Sequence, residues 1–405
     1  MYIAPSKKTL LVAFYAFLIN ISTQMLYSHL ALFLKFNLDM GESCIGFIDG
    51  LAEFISRLVR TFSGVIADYI GDRRILLVIG CSLSCFAKLV FAFVGSAGGI
   101  LLAEMLERLG AGIQASPRDA LVADVGLRNR LGESFGLVKS IKTLGTIFGA
   151  ATALLLLHFF DGNHRIVFFC AAIPAAAALI FLIKLPLSRG TKTGTNRPDA
   201  ESAAAPRNKF SHPFSREYLK SLDAHLFFLI VLAFFCEFMH FGESLIILRG
   251  GGIVSPTWAG LTTVVMGIGQ AILAYPLGLL ADKCGKILIL ALGLFLGGLS
   301  CGLLGLVHTF LPFFALVALL YGLQAAVQSI LLSLIAENVN RRLYGTAIGI
   351  FYCATGGAYL LAAKISGMIC ERAGYEVAFF CSAAFCLPGL IMLLIYRRIF
   401  ALSSD

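Results

Sequence analysis

Charge is scarce in this chain. Asp, Glu, Lys and Arg make up 14% of its 405 residues, against 59% hydrophobic residues and a mean hydropathy of +0.88. A soluble globular domain needs a charged surface, so this composition excludes one and points to a polytopic membrane protein. No Cys-x-x-Cys occurs among the eleven cysteines, and most of them (Cys81, Cys85, Cys170, Cys236, Cys301, Cys353, Cys381, Cys386) lie inside apolar runs. They read as small apolar fillers, which excludes a disulfide frame and a metal centre. No His-Glu-x-x-His is present, so zinc hydrolysis has no motif to run on. The chain is expected not to be an enzyme and to hold no cofactor. A net charge of +9 is compatible with nucleic-acid binding, but the Lys and Arg sit in short turns between apolar runs. That distribution orients a membrane protein, and no nucleic-acid partner is expected.

What the chain has in quantity is apolar length. Runs long enough to span a bilayer fall at 10–35, 45–69, 75–96, 98–122, 133–158 and 165–185, then at 222–248, 256–281, 286–307, 310–336, 344–369 and 375–396. The first follows Lys7 and Lys8 as a secretory signal would, but Leu10 to Leu34 is too long for a signal core. It is expected to remain as the first of twelve helices in an all-α membrane fold. The bases of the turns (Lys7, Lys8, Arg73, Arg74, Arg128, Arg130, Lys283, Lys286, Arg341, Arg342, Arg397, Arg398) fall on the side of the termini. Both termini are therefore expected in the cytoplasm. Residues 186–220, rich in Ser, Thr, Ala, Pro and bases, read as a cytoplasmic linker. It divides the chain into an N-terminal six-helix bundle, 1–185, and a C-terminal one, 221–405.

The halves repeat. Gly64-Val65-Ile66-Ala67-Asp68, leading to Arg73 and Arg74, is echoed by Gly278-Leu279-Leu280-Ala281-Asp282-Lys283. Ala123-Asp124, Arg128, Gly132 and Gly136 match Ala336-Glu337, Arg341, Gly345 and Gly349. Gly-x-x-x-Asp before a basic turn suits a tight hairpin between packed membrane helices: the glycine admits a neighbouring backbone and the carboxylate can sit at a helix N-terminus. This loop, repeated in both halves, resembles the hallmark of the major facilitator superfamily of transporters. Pro117-Arg118-Asp119-Ala120-Leu121-Val122-Ala123-Asp124 resembles a phrase ending helix 4 in one bacterial branch. Arg108 with Gly112, Gly46 with Asp49-Gly50 and Glu53, and Leu248-Arg249 fit the same likeness. The chain departs from that branch at Asn20, Gln24 and Gln328, where acids are usual, at Lys142, where an Asp is usual, and at Tyr69 and Asp72 in the first hairpin. Gly149-Ala150 stands where antiporters carry Gly-Pro.

The resemblance implies two pseudo-symmetric bundles that alternate access to a central cavity lined by helices 1, 2, 4, 5, 7, 8, 10 and 11. Ionisable residues within spans are costly, so each is a candidate for function. Asn20, Gln24, Tyr27, Arg57, Arg108, Lys139, Lys142, His240, Gln324 and Gln328 are the candidate cavity residues. Asp49, Glu53, Glu237 and Glu243 are the candidate proton carriers, with Glu237, His240 and Glu243 stacked three apart on one helix face. Glu53 and Arg57, at i and i+4, could equally form a structural pair. Lys88 and Lys364 read as structural or snorkelling, and His29 as a satisfied polar residue. Gly64, Asp68, Arg73, Arg118, Asp119, Asp124, Gly278, Asp282 and Lys283 are the candidate gating residues. Asp68 is expected to cap helix 11 near Tyr344 and Gly345, and Asp282 to cap helix 5 near Gly132. With acids missing at Asn20, Gln24 and Gln328 and a base gained at Lys142, the cavity is expected to be basic and its solute anionic. An organic acid, a polycarboxylate chelator or a phosphorylated metabolite fits, moved with protons by a monomer in the bacterial cytoplasmic membrane. A drug or metabolite exporter, or a transport-inactive sensor, is the alternative.

Overall fold

In hydrocarbon every backbone N–H and C=O has to be satisfied within its own segment, so the apolar runs become helices. The computed structural model describes residues 7–70, 73–125, 131–184, 224–338 and 344–401. Thirteen α-helices occur among them. The first six are α1 Lys7–Leu32, α2 Glu42–Ile70, α3 Arg73–Phe93, α4 Ala97–Val125, α5 Leu131–Phe159 and α6 His164–Lys184. Then follow α7 Ala224–Phe238, α8 Glu243–Ile253, α9 Leu261–Cys284, α10 Lys286–Leu306, α11 Phe310–Asn338, α12 Tyr344–Ala384 and α13 Cys386–Tyr396. The linker 186–220 lies outside the described residues, as do Asp72, Arg128, Arg130, Arg341 and Arg342.

Nine segments among the described residues are long and apolar enough to cross a membrane, against twelve read from the sequence. The difference has two causes. Helices α2 and α4 reach 29 residues each but carry acids and bases through their middle turns. The runs 344–369 and 375–396 fall within one stretch, Ala347–Ile399, which crosses a non-helical break at Gly374 (φ 87°, ψ 167°).

The seventh expected span is also corrected. It is not one helix but two, α7 and α8, separated by Met239 to Gly242. Gly242 takes φ −52° and ψ 130°, which ends the helical path and frees the first N–H groups of α8. Glu237, His240 and Glu243 therefore do not share one face.

Helix α1 packs on α5 and α6, α2 on α4, and α3 on α4 and α6. In the second group α9 packs on α11, α10 on α11 and α12, and α12 on α7. Contacts between the groups run mainly along α2 with α12, α5 with α9, and α1 with α8. We call the side on which α1 begins the near side. At the far side the groups are sealed by backbone approach. A methyl group at Gly46 would overlap the Ala363 carbonyl oxygen, and one at Gly50 would lie 2.8 Å from the Leu360 Cα. Lys364 Nζ donates to Ser43 Oγ at 3.0 Å across the same seam. Gly46→Leu is therefore expected to prise α2 from α12 at a cost of about 1–3 kcal/mol of overpacking. A lowered melting temperature in detergent, with reduced uptake, checks it.

Candidate functional site

Between the two groups, where α1, α2, α4, α5, α8, α11 and α12 meet, lies a cavity of about 380 Å³. It runs from Tyr27 and Asp49 toward Arg60, Arg118 and Tyr352 at the near side. A second chamber of about 260 Å³ shares Asp49, Glu53, Arg57, Arg108, Glu243 and Gln328 with it. Volumes of this order hold a small organic molecule. Of the expected cavity residues, Asn20, Gln24, Tyr27, Arg57, Arg108, Lys142 and Gln328 line the first space, and Lys139, His240 and Gln324 the second.

The stripe on α2 and its partners on α4 and α7 form one chain of charge. Arg108 donates from Nε to Glu104 Oε1 at 3.1 Å and from Nη1 to Glu53 Oε2 at 3.0 Å. The other oxygen of Glu53 accepts from Arg57 Nε at 2.9 Å. Arg57 Nη1 reaches Glu237 Oε1 at 3.1 Å, and Glu237 Oε2 accepts from His240 Nδ1 at 2.7 Å. Three carboxylates thus hold two guanidiniums, and Glu53 is shared. The rings of Tyr27 and Tyr359 cover the guanidiniums of Arg108 and Arg57 at 4.1 and 5.7 Å. The expected basic hollow is corrected: Arg57 and Arg108 line the cavity but are already neutralised. The structural reading of the Glu53–Arg57 pair and a place in the cavity hold together.

Two acids stay out of this chain. Asp49 Oδ2 accepts from the Tyr359 hydroxyl at 3.1 Å and from the backbone N–H of Ser244 at 3.3 Å. The Glu243 backbone N–H donates to the same hydroxyl at 3.1 Å. Asp49 and Tyr359 therefore satisfy the freed N-terminus of α8, where a negative charge is favoured. Neither Asp49 nor Glu243 is in an ion pair among the described residues. Lys142 is likewise unpaired and faces the cavity. Asn20 is turned aside: its Nδ2 donates to the Lys142 carbonyl and to Thr146 Oγ1, both at 2.7 Å, tying α1 to α5. Buried Gln24 Oε1 and Tyr27 Oη accept or donate no hydrogen bond among the described residues.

At the near mouth Asp119 accepts from Arg60 Nη2 at 2.7 Å and from Arg118 Nη2 at 3.4 Å. The Arg60 guanidinium lies 4.8 Å from the centre of the Tyr352 ring, so α4, α2 and α12 meet there. Arg73 Nη1 donates to the Ala120 carbonyl at 3.0 Å, binding α3 to α4. Gly64 lets α4 close in: a methyl group there would come within 2.6 Å of Ser116 Oγ. Asp282 and Lys283 are exposed. The side chains of Asp68 and Asp124, and of Gly132, Tyr344 and Gly345, which the caps would involve, fall outside the described set.

Sequence reasoning missed Tyr359 and Tyr352, although their spacing of seven places them on one helix face. It also left Lys88 without a partner. Lys88, fully buried on α3, donates to both oxygens of Glu107 at 2.8 Å. Ser84 Oγ and Thr23 Oγ1 complete that carboxylate at 2.6 and 3.2 Å. The pair lies behind the cavity and ties α3 to α4. Lys88→Met is expected to cost about 3–5 kcal/mol, because it strands a buried carboxylate. The double change Lys88→Met with Glu107→Leu is expected to recover most of it, which thermal melts in detergent resolve.

The sequence profile described as Major Facilitator Superfamily matches residues 12–249 and 240–402. An uncharacterized MFS-type transporter of Methanocaldococcus jannaschii is 27% identical over 401 residues, covering 96% of this chain and 95% of the relative. Among solved structures, the nucleoside transporter NupG superposes with a TM-score of 0.74 at 13% identity, covering 96% of this chain and 99% of that one. The human organic anion transporter MFSD10 gives a TM-score of 0.65 at 18% identity, covering 95% and 98%. These two share the fold. The profile spans nearly the whole sequence, and the chain belongs to the Major Facilitator Superfamily.

Proposed function

We propose that this transporter carries a small organic metabolite or drug-like solute bearing a single anionic group, and couples its movement to protons. Family membership makes it an integral membrane protein that moves a small organic solute by secondary active transport. Our finer reading is of twelve spans in two bundles, 1–185 and 221–405, joined by 186–220. They rock about the cavity, in a monomer whose termini face the cytoplasm of a bacterial cell. The helix contacts support two groups, since α2 with α4 and α3 with α4 have counterparts in α9 with α11 and α10 with α11.

One observation supports the solute class: among the described residues the first space offers one base outside any ion pair, Lys142, beside two such acids, Asp49 and Glu243, and the other unpaired base, Lys139, lines the adjoining chamber but not this space. A polycarboxylate or a phosphorylated metabolite would need several free cations, and Arg57 and Arg108 are already held by Glu53, Glu104 and Glu237. A single carboxylate matches Lys142. The acids at the α8 N-terminus suit proton carriage, since neither is held in an ion pair among the described residues. Far-side seams are closed and the cavity extends toward the near mouth, so the solute is exchanged from the near side in this state. The test is uptake by the full-length protein in proteoliposomes, across monocarboxylates, dicarboxylates and organic cations. Monoanions are expected to be taken up under a proton gradient, with the preference lost in Lys142→Gln. A preference for cations, or uptake indifferent to the gradient, overturns it.

A further inference from the structure

The two seams between the helix groups are unequal. Helix α2 meets α12 at both ends, through Gly46 and Gly50 at the far side and through Thr61 against Gly349 at the near side. Helix α5 meets α9 where Gly267 lies against Thr146 and Ile147. Beyond that point, toward the near side, they frame a groove of about 620 Å³, larger than the central cavity. A methyl group at Gly349 would press on Thr61 across the α2–α12 seam at 2.5 Å, whereas one at Gly278, on the groove side of α9, would meet nothing within 4 Å.

The groove has two kinds of wall. Leu144, Ile147, Tyr275 and Leu279 make one apolar, and Leu144, Tyr275 and Leu279 are exposed where a bilayer would lie. Ser140, Thr143, Ser329 and Ser333 make the other. At the inner end Lys139 and Gln270 line both this groove and the chamber of Asp49 and Glu243. Lys139 is in no ion pair among the described residues. The other charges of the groove lie at its outer mouth. Asp282 is about 18 Å of helix rise from Gln270, and Lys286 is tied to Ser333 and Glu337.

We propose that this groove is a lateral portal for a single-chain amphiphile with a terminal carboxylate. Its chain lies along Leu144, Tyr275 and Leu279 while its head is drawn to Lys139 and on to the cavity. Each methylene dragged through water costs free energy, so a long chain is moved most cheaply if it never leaves hydrocarbon. A slot open to lipid on one side and joined to a charged chamber on the other permits that. The proposal rests on the transport reading and narrows its solute to monoanions that carry a long chain.

The test uses the full-length protein in lipid nanodiscs and a diazirine-bearing palmitate analogue, with cross-linked peptides mapped by mass spectrometry. Label is expected on 139–147 and 271–282, competed by palmitate and not by hexadecyltrimethylammonium. Gly278→Phe and Ala274→Phe, which fill the groove, are expected to remove most of that label. Lys139→Gln is expected to abolish the preference for palmitate over the cation. Label spread evenly over the lipid-facing helices, or label on 139–147 and 271–282 that survives both phenylalanine variants, overturns the portal. Uptake of short monocarboxylates in proteoliposomes is scored separately. Its survival with the groove unlabelled sinks the portal alone, whereas its absence with the groove labelled sinks the transport reading.

Discussion

Arg108→Gln is expected to abolish uptake and to lower stability by about 3–5 kcal/mol, the cost of stranding a buried charge. The guanidinium is the joint between α4 and α2, donating to Glu104 on its own helix and to Glu53 across the interface. Without it Glu104, which is 1% exposed, keeps a carboxylate with no cation. Glu53 would still hold Arg57, so that arm of the network should survive. Two companions make the expectation specific. Arg108→Gln combined with Glu104→Gln is expected to regain stability without regaining uptake, since the stranded charge is gone but the α2–α4 link is not restored. Arg108→Lys is expected to rescue poorly, because one ammonium cannot reproduce two separately aimed donors and a flat face over Tyr27. Thermal melts and uptake on the same preparations check all three, and full uptake by Arg108→Gln would remove the network from the mechanism.

The second large effect is expected at the α8 N-terminus. Asp49→Asn should keep the hydrogen bonds from Tyr359 and Ser244, because the amide oxygen can accept both. It loses the exchangeable proton and the charge that the helix terminus favours. Glu243→Gln does the same one step along the chamber. Proton-driven accumulation is expected to vanish in each variant while solute exchange at equal pH continues. Parallel measurements of accumulation and counterflow separate the outcomes; accumulation intact in both variants would move proton coupling elsewhere.

Much of this was legible in the residues. The apolar runs, the hairpin repeat and the scarcity of charge are read along one strand of text, because the bilayer imposes one rule on every segment. The stripe Asp49, Glu53, Arg57, Arg60 follows from helical spacing, and so does its place on one face. The pairing of Lys88 with Glu107 could not be read this way. Neither residue carries local information about which of several opposite charges its helix will meet. The expected basic hollow failed for the same reason: counting lysines and arginines along the sequence does not say that Glu53 sits between two of them. The break in the seventh span was hidden because Phe241 and Gly242 carry no strong signal, and the partners that satisfy the freed N–H groups, Asp49 and Tyr359, come from distant helices.

The sequence by itself determined that this is a helical membrane protein with a repeated hairpin, and which faces of α2 and α4 carry charge. Those properties depend on composition and on a period of 3.6 residues. Only the tertiary structure decided which charges neutralise each other, that Asp49, Glu243 and Lys142 are in no ion pair among the described residues, and that the α5–α9 seam opens while the α2–α12 seam closes. Each of these is a relation between helices far apart in the chain, fixed by packing and by the pairing of buried charge.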